Sequence, residues 1–330
     1  MPTAAATPSA TARPSPSPTP ETTAIADGEA WIAYMGGTGG PPKVRLVRPD
    51  GSGDHALAPD ILAGDQLHPD WSPDGMRIAF SADDSDGTRD LWIANADGTG
   101  ALKTYDCADP CAWSDDPAWS PDGKIILFQR GVAVDGGPNG AGELARLDPG
   151  TGAVAVVYTA PGPGDYVYVP RWSPDGTHVV FEIEEYKSAR LDDEAVKGGT
   201  IAVIALKDGA ANGAPSELLP RTSRATYPDW HPDGSRIVYV IPAAAGGTAA
   251  PSDLWTIAPD GTDQAQLTRM ADAGGRALQP TWSPDGTQLI FVAEKAIGTP
   301  VAGISASDGT GLELVPGAQY RTHPRLRPLP

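Results

Sequence analysis

The sequence predicts an all-β protein, a six-bladed β-propeller whose last blade is closed by strands from both ends of the chain. Three observations lead there. The pentapeptide Trp71-Ser72-Pro73-Asp74-Gly75 returns at 119–123, 172–176, 230–234 (with His231 for Ser) and 282–286, at spacings of 48, 53, 58 and 52 residues. A short apolar, β-rich run follows each copy, and further Asp-Gly turns such as Asp97-Gly98 and Asp260-Gly261 sit about half a repeat downstream. A period of this size marks a repeat architecture, in which one unit cannot bury its own faces and must stack on its neighbours.

Within a repeat, the first strand ends in Pro-x-Trp, as in Pro69-Asp70-Trp71 and Pro117-Ala118-Trp119. Ser-Pro-Asp-Gly then supplies a tight reversal: proline presets φ, Asp suits the next position and Gly takes the left-handed one. The second strand is the apolar run, Ile78-Ala79-Phe80 and its equivalents ending at Phe128, Phe181, Tyr239 and Phe291. After a variable loop comes a third strand (91–93, 144–147, 201–206, 254–257), then an Asp-Gly turn, a strong hairpin signal, and a more polar fourth strand such as 264–268. Four antiparallel strands make one propeller blade. The chain ends supply the remaining blade. Trp31-Ile32-Ala33-Tyr34 reads as a second strand with no first, and Val44 to Val47 with Pro49-Asp50-Gly51 as a third strand and turn. His323-Pro324-Arg325-Leu326 reads as a first strand with nothing after it, Leu326 standing where Trp would be.

The Trp-Ser-Pro-Asp-Gly repeat with its downstream Asp-Gly turn resembles the PD40 (WD40-like) repeat of TolB-type six-bladed propellers, over residues 27 to 330. TolB itself carries an α/β domain ahead of its propeller. Here residues 1–26 are a Pro/Ala/Thr-rich tail or linker, which argues against a role in the Tol–Pal system. This tail favours polyproline conformations and would span about 70 Å if fully extended. It has neither the basic nor the apolar region of a signal peptide.

The net charge of −18 disfavours binding to phosphate backbones, so nucleic acid is not expected as a partner. No stretch is apolar enough to cross a membrane. Cys107 and Cys111 are the two cysteines. Their spacing matches neither a Cys-x-x-Cys redox pair nor a complete zinc site, and a disulfide between them would suit an exported protein. The expected setting is secreted, periplasmic or cell-surface, the protein a monomer tethered through its N-terminal linker or free.

First strands line a propeller's channel, so the residue before each Pro-x-Trp proline should recur at one level: His68, Asp116, Val169, Tyr227, Gln279 and His323. Gln279, His323, His68 and Asp116 fall on consecutive blades once the ring closes. The residue after each proline gives a second ring: Asp70, Ala118, Arg171, Asp229, Thr281 and Arg325. The channel-mouth candidates are His68, Asp116, Tyr227, Gln279 and His323, with Arg171 and Arg325 nearby. Two imidazoles, an amide and a carboxylate on one arc suit a divalent metal or an anion; a wet, polar channel with no ligand accounts for the same residues. Oligogalacturonate lyases, propellers with seven blades and a similar repeat, hold a metal with channel histidines and a glutamine. That resemblance implies His68, Gln279 and His323 as ligands.

The acidic run Glu182, Glu184, Glu185, Asp192, Asp193, Glu194 reads as a solvated loop or a cation-binding lip. Residues 81–90 miss the spacing of a calcium loop and read as a turn. Trp113 alone lies outside the repeat positions as a candidate for stacking on a sugar or peptide. No Gly-x-Ser-x-Gly, His-Glu-x-x-His or phosphate-loop motif is present. The propeller of prolyl-oligopeptidase relatives is similar, but their hydrolase domain has no counterpart here, so peptidase activity is not expected. The first function expected is a non-enzymatic scaffold that recognises a protein or peptide at the cell envelope through its funnel and loops. The alternative is a metal-dependent lyase or hydrolase acting on acidic oligosaccharides, with Arg171 or Arg325 pairing the substrate carboxylate.

Overall fold

A computed structural model describes residues 25–26, 28–37, 39–58, 64–84, 87–132, 142–161, 164–186, 196–243, 250–295, 300–317 and 321–329. The tail up to residue 24, together with Asp192, Asp193 and Glu194 of the acidic run, lies outside the described residues.

The chain forms a β-propeller of successive antiparallel meanders. The first complete one is Gln66–Trp71, Arg77–Asp83, Arg89–Asn95 and Leu102–Tyr105, hydrogen-bonded in that order. The second runs Cys111–Trp119, Ile126–Val132, Gly142–Leu147 and Val154–Thr159. The third has Asp165–Trp172, His178–Tyr186 and Val196–Lys207 with a short outer Ser216–Glu217. An eight-stranded sheet contains the next two meanders, which open with Thr226–Trp230 and Arg276–Trp282 and meet at a single parallel pair, Ser252 with Arg276. The last is built from both chain ends: Thr322–Leu326 pairs with Ile32–Gly36, followed by Lys43–Val47 and His55–Ala56.

The hydrophobic residues show why these meanders must form a ring. Each of the clusters among the described residues spans two adjacent meanders. Phe80 and Ile78 pack with Trp31 and Leu46 of the closing blade, Phe128 with Leu91, Phe181 with Leu144, Tyr239 with Val180, and Phe291 with Val238. The ring is completed where Ile32 and Tyr34 pack with Ala302 and Val315. The motif tryptophans Trp71, Trp119, Trp230 and Trp282 are 4–7% exposed at these interfaces.

The Ser-Pro-Asp-Gly turns behave as read. Ser72 Oγ donates to Asp74 Oδ1 at 2.5 Å and accepts the Arg77 N–H at 2.9 Å, while Gly75, at φ 65°, donates its N–H to Ser72 O. Ser120, Ser173 and Ser283 repeat the Ser–Asp bond. In the fourth copy His231 stands in, its ring 2.6 Å from Asp233. These carboxylates are spent on turn formation, and the turn hydrogen bonds hold Asp175 at about 2.

The closing seam carries two buried arginines. Arg327, 2% exposed, donates from Nε to Gly75 O at 2.9 Å and from Nη1 to Ala26 O at 2.9 Å, and its backbone N–H donates to Trp31 O. Arg321, fully buried, pairs with Asp54 at 3.0 Å. Removing residues 321–330 is therefore expected to abolish cooperative thermal unfolding, because it opens the ring and strips two interfaces; an unchanged melting curve would contradict closure. Arg327→Met keeps the volume but leaves the buried Gly75 carbonyl without its donor. It should cost about 2–4 kcal/mol in denaturant unfolding.

Candidate functional site at the channel mouth

The six residues ahead of the inner-strand prolines share one backbone anomaly. His68, Asp116, Val169, Tyr227, Gln279 and His323 all have φ between 49° and 53°. The pairing register slips there in every inner strand, for example between Leu67 and Asp70 and between Asp115 and Ala118. This is a β-bulge with its extra residue in the left-handed region, a device that re-aims a side chain. His and Asp tolerate positive φ better than most residues, and a β-branched Val does so poorly. That Val169 adopts it too shows that the strand imposes the conformation.

The bulges bring most of the ring together. The His68 and His323 rings lie edge to face at 4.2 Å, and Tyr227 meets His323 at 6.1 Å. His68, Asp116 and His323 place one potential metal-ligand atom each within 4.8 Å of one another. Gln279 is engaged with His323: its Oε1 accepts the His323 backbone N–H at 2.8 Å and its Nε2 lies 2.9 Å from the ring Nε2. Since the amide nitrogen can only donate, the ring nitrogen facing it accepts, and the proton of a neutral His323 sits on Nδ1. That Nδ1 is buried without a hydrogen-bond partner among the described residues, and Asp116 Oδ1 has none either, though it lies 3.5 Å from His68 Nδ1.

Charge is unevenly shared. Burial opposes an imidazolium at His68, but Asp115, 2.6 Å from Nδ1, and Asp116, 3.5 Å away, outweigh it and raise the pKa to about 9. Burial together with the His68 charge holds His323 well below the ordinary histidine value. Burial would raise Asp115 too, but His68 and Arg89, at 2.7 Å, pull it down. Asp116 is raised by its burial.

Glu182 corrects the loop reading. It lies in the second strand His178–Tyr186, is 4% exposed, and accepts the Tyr227 N–H at 3.1 Å. Burial, and then the charge of Glu184, holds it well above the usual carboxylate range. The signal was present in the sequence. The residue after the second-strand aromatic is Ser81, Gln129, Glu182, Val240 and Val292, and only this blade puts a carboxylate there. Asp115 and Arg89 were also missed.

Arg171 and Arg325 do not belong to the mouth. They lie one layer deeper, toward the Ser-Pro-Asp-Gly turns, each 8% exposed, in a hollow with Asp70 and Asp229. There the carboxylates clasp neighbouring blades. Asp70 Oδ2 accepts the Trp119 N–H at 2.8 Å, and Asp229 Oδ2 accepts the Trp282 N–H at 3.0 Å and the Thr281 hydroxyl at 2.9 Å. Burial raises Asp229 to about 6, against the pull of Arg171. A raised folded-state pKa contributes stability that is complete below the unfolded value near 4 and lost as pH rises through about 6. Asp229→Asn keeps an acceptor for Trp282, so it should flatten the fall in melting temperature between pH 4 and pH 7 relative to the parent protein.

Cys107 and Cys111 form a disulfide, Cα–Cα 5.2 Å, immediately ahead of the inner strand bearing Trp113 and Asp116. No helix among the described residues is long and apolar enough to cross a membrane.

No protein-family model matches the chain. Among solved structures, TolB from Acinetobacter baumannii superposes with a TM-score of 0.65 at 18% identity, covering 92% of this chain and 67% of that one. An oligogalacturonate lyase in complex with manganese superposes at 0.53 and 18% identity, over 88% and 74%. Among curated proteins, dipeptidyl-peptidase 5 of Porphyromonas endodontalis is 32% identical over 122 residues, 37% of this chain. The matched segment spans only 15% of that peptidase. At these identities the structural likenesses establish the propeller fold and nothing finer.

Proposed function

We propose that this protein is a non-enzymatic binding scaffold at the bacterial cell envelope whose channel mouth captures a basic segment, a lysine or arginine side chain in an extended peptide, of a protein partner. The observation that carries this reading is a pair of buried carboxyl groups, Asp116 and Glu182, at the mouth. Among the described residues neither has a lysine or arginine at salt-bridge distance, and Asp116 Oδ1 has no hydrogen-bond partner. Two carboxyl groups, Asp115 and Asp116, share the single His68 imidazolium, so an incoming ammonium or guanidinium would relieve the cost of burying Asp116 and Glu182. Tyr227, whose backbone N–H bonds to Glu182, would add an aromatic contact to the same cation. The net charge of −18 would steer a basic partner over a longer range.

The second reading is a metal-dependent lyase or hydrolase on acidic oligosaccharides. It is favoured by the His68, Asp116 and His323 cluster and by the likeness to a manganese-bound lyase. The residue types fit a divalent cation, which would have to displace the His68 proton shared with Asp115 and Asp116 and compete with Gln279 for His323. Gln279 is thereby drawn away from the ligand role, and an acidic mouth repels a polyuronate.

Titration with a Lys/Arg-rich nonapeptide should raise the melting temperature by mass action. The affinity should fall with salt, and the double variant Asp116→Asn, Glu182→Gln should lose roughly tenfold or more, about 1.4 kcal/mol. If instead EDTA lowers the melting temperature, Mn²⁺ restores it and the basic peptide has no effect, the scaffold reading fails and the metal reading replaces it.

A further inference from the structure

A second recess opens beside the mouth, between the first three complete blades, with a volume of about 450 Å³. Its walls are unlike those of the channel. Trp113 and Tyr168, from neighbouring inner strands, lie with their ring planes within 7° of parallel and centroids 6.2 Å apart. Trp113 follows the disulfide-bonded Cys111 by two residues, so the strand that carries it is tied down. Its indole rests over Gly131, where any side chain would collide with it, so the glycine makes room for the ring. Tyr168 is held from the other side, its hydroxyl 3.5 Å from that of Tyr186. Neither ring belongs to the repeat tryptophans that hold the blades together.

The polar wall is equally fixed. Arg89 is clamped between Asp83 and Asp115, each at 2.7 Å, and Gln129, 3% exposed, lies beside them with an Oε1 that has no partner among the described residues. Planar amide, carboxylate and guanidinium groups offer pairs of donors and acceptors at the spacing of vicinal hydroxyls. An aromatic platform takes the C–H face of a pyranose ring. The charge balance narrows the class further. One guanidinium faces two carboxylates, both already paired to it, so no spare cation remains to hold a sugar carboxylate.

We infer that this recess is a saccharide subsite selective for neutral pyranoses, large enough for one or two sugar units and separate in its chemistry from the cation-seeking mouth. Trp113 and Tyr168 stack on the sugar, while Arg89, Asp83, Asp115 and Gln129 bond to its hydroxyls. The inference does not depend on the basic-segment reading of the mouth.

The test is isothermal titration of the full chain with cellotriose, maltotriose, laminaritriose, mannotriose, xylotriose, chitotriose and trigalacturonate, with Trp fluorescence recorded in parallel. At least one neutral trisaccharide should bind with Kd below 5 mM, an order-of-magnitude limit of about 3 kcal/mol. Trigalacturonate should bind at least tenfold more weakly. Trp113→Ala should weaken binding tenfold or more with its melting transition intact, and Gly131→Val, which displaces the indole, should do the same. Glu182→Gln, which keeps an acceptor for the Tyr227 N–H, should leave saccharide binding unchanged. If Trp113→Ala fails to fold, Gly131→Val and the wild-type fluorescence change carry the comparison. Absence of binding by every neutral trisaccharide, tighter binding of trigalacturonate, or binding insensitive to displacement of Trp113 overturns the inference.

Discussion

Apolar burial between blades is the interaction on which everything else in this molecule rests. No hydrophobic cluster among the described residues belongs to one meander alone; each needs the next blade to complete it. A linear stack would leave two such faces in water, and the apolar area involved forbids that. Closure is therefore not an ornament of the chain ends. The pairing of Thr322–Leu326 with Ile32–Gly36 supplies the missing face, Arg327 bonds the Gly75 and Ala26 carbonyls across the seam, and Arg321 joins Arg45 and Tyr34 on Asp54. The opposite, outer edges show complementary economy. Outer strands such as Ser216–Glu217, Ala265–Gln266 and Glu313–Leu314 are only two residues long, which leaves little ladder for another chain to extend.

Ring closure also decides what a channel residue can be. The inner strands converge, and each relieves its register with a left-handed residue ahead of the proline. Part of the polar character of the mouth follows from this backbone demand, since His and Asp accept positive φ more readily than most side chains. The demand does not explain why the side chains interlock. His68 bonds to Asp115, Gln279 grips His323 twice, and Tyr227 covers the histidine edge. One structural device, repeated around the ring, thus delivers six side chains to one level, and the differences among blades carry the chemistry.

This division marks how far the sequence could be read. Repeat spacing was enough for the propeller, the paired termini and the two rings of channel positions, because turn chemistry and strand periodicity are local properties. Which ring member meets which is not local. Arg171 and Arg325 are two residues from the mouth positions, yet the strand carries them a layer deeper, to Asp70 and Asp229. Gln279 has the composition of a metal ligand, and only its two bonds to His323 reveal a different occupation. Glu182 sits in a run of acids that reads as a loop, but its register opposite Tyr168 buries it. The protonation of His68 depends on Asp115 of the neighbouring blade, which no repeat alignment singles out, and on Arg89 two strands away in its own blade.

The two layers of the channel resolve buried charge in opposite ways, and this gives the channel a direction. At the turn end, Asp70 and Asp229 accept backbone N–H groups of adjacent blades and share the field of Arg171, so their hydrogen bonds tie blade to blade. At the mouth, Asp115 and Asp116 share the His68 imidazolium, Asp115 taking Arg89 as well, while Glu182 has no lysine or arginine at salt-bridge distance among the described residues. The desolvation of Asp116 and Glu182 is only partly offset, by the Tyr227 N–H on Glu182 and by His68 near Asp116. Under the proposed capture of a basic segment, a positive charge arriving from outside would offset that cost at the mouth.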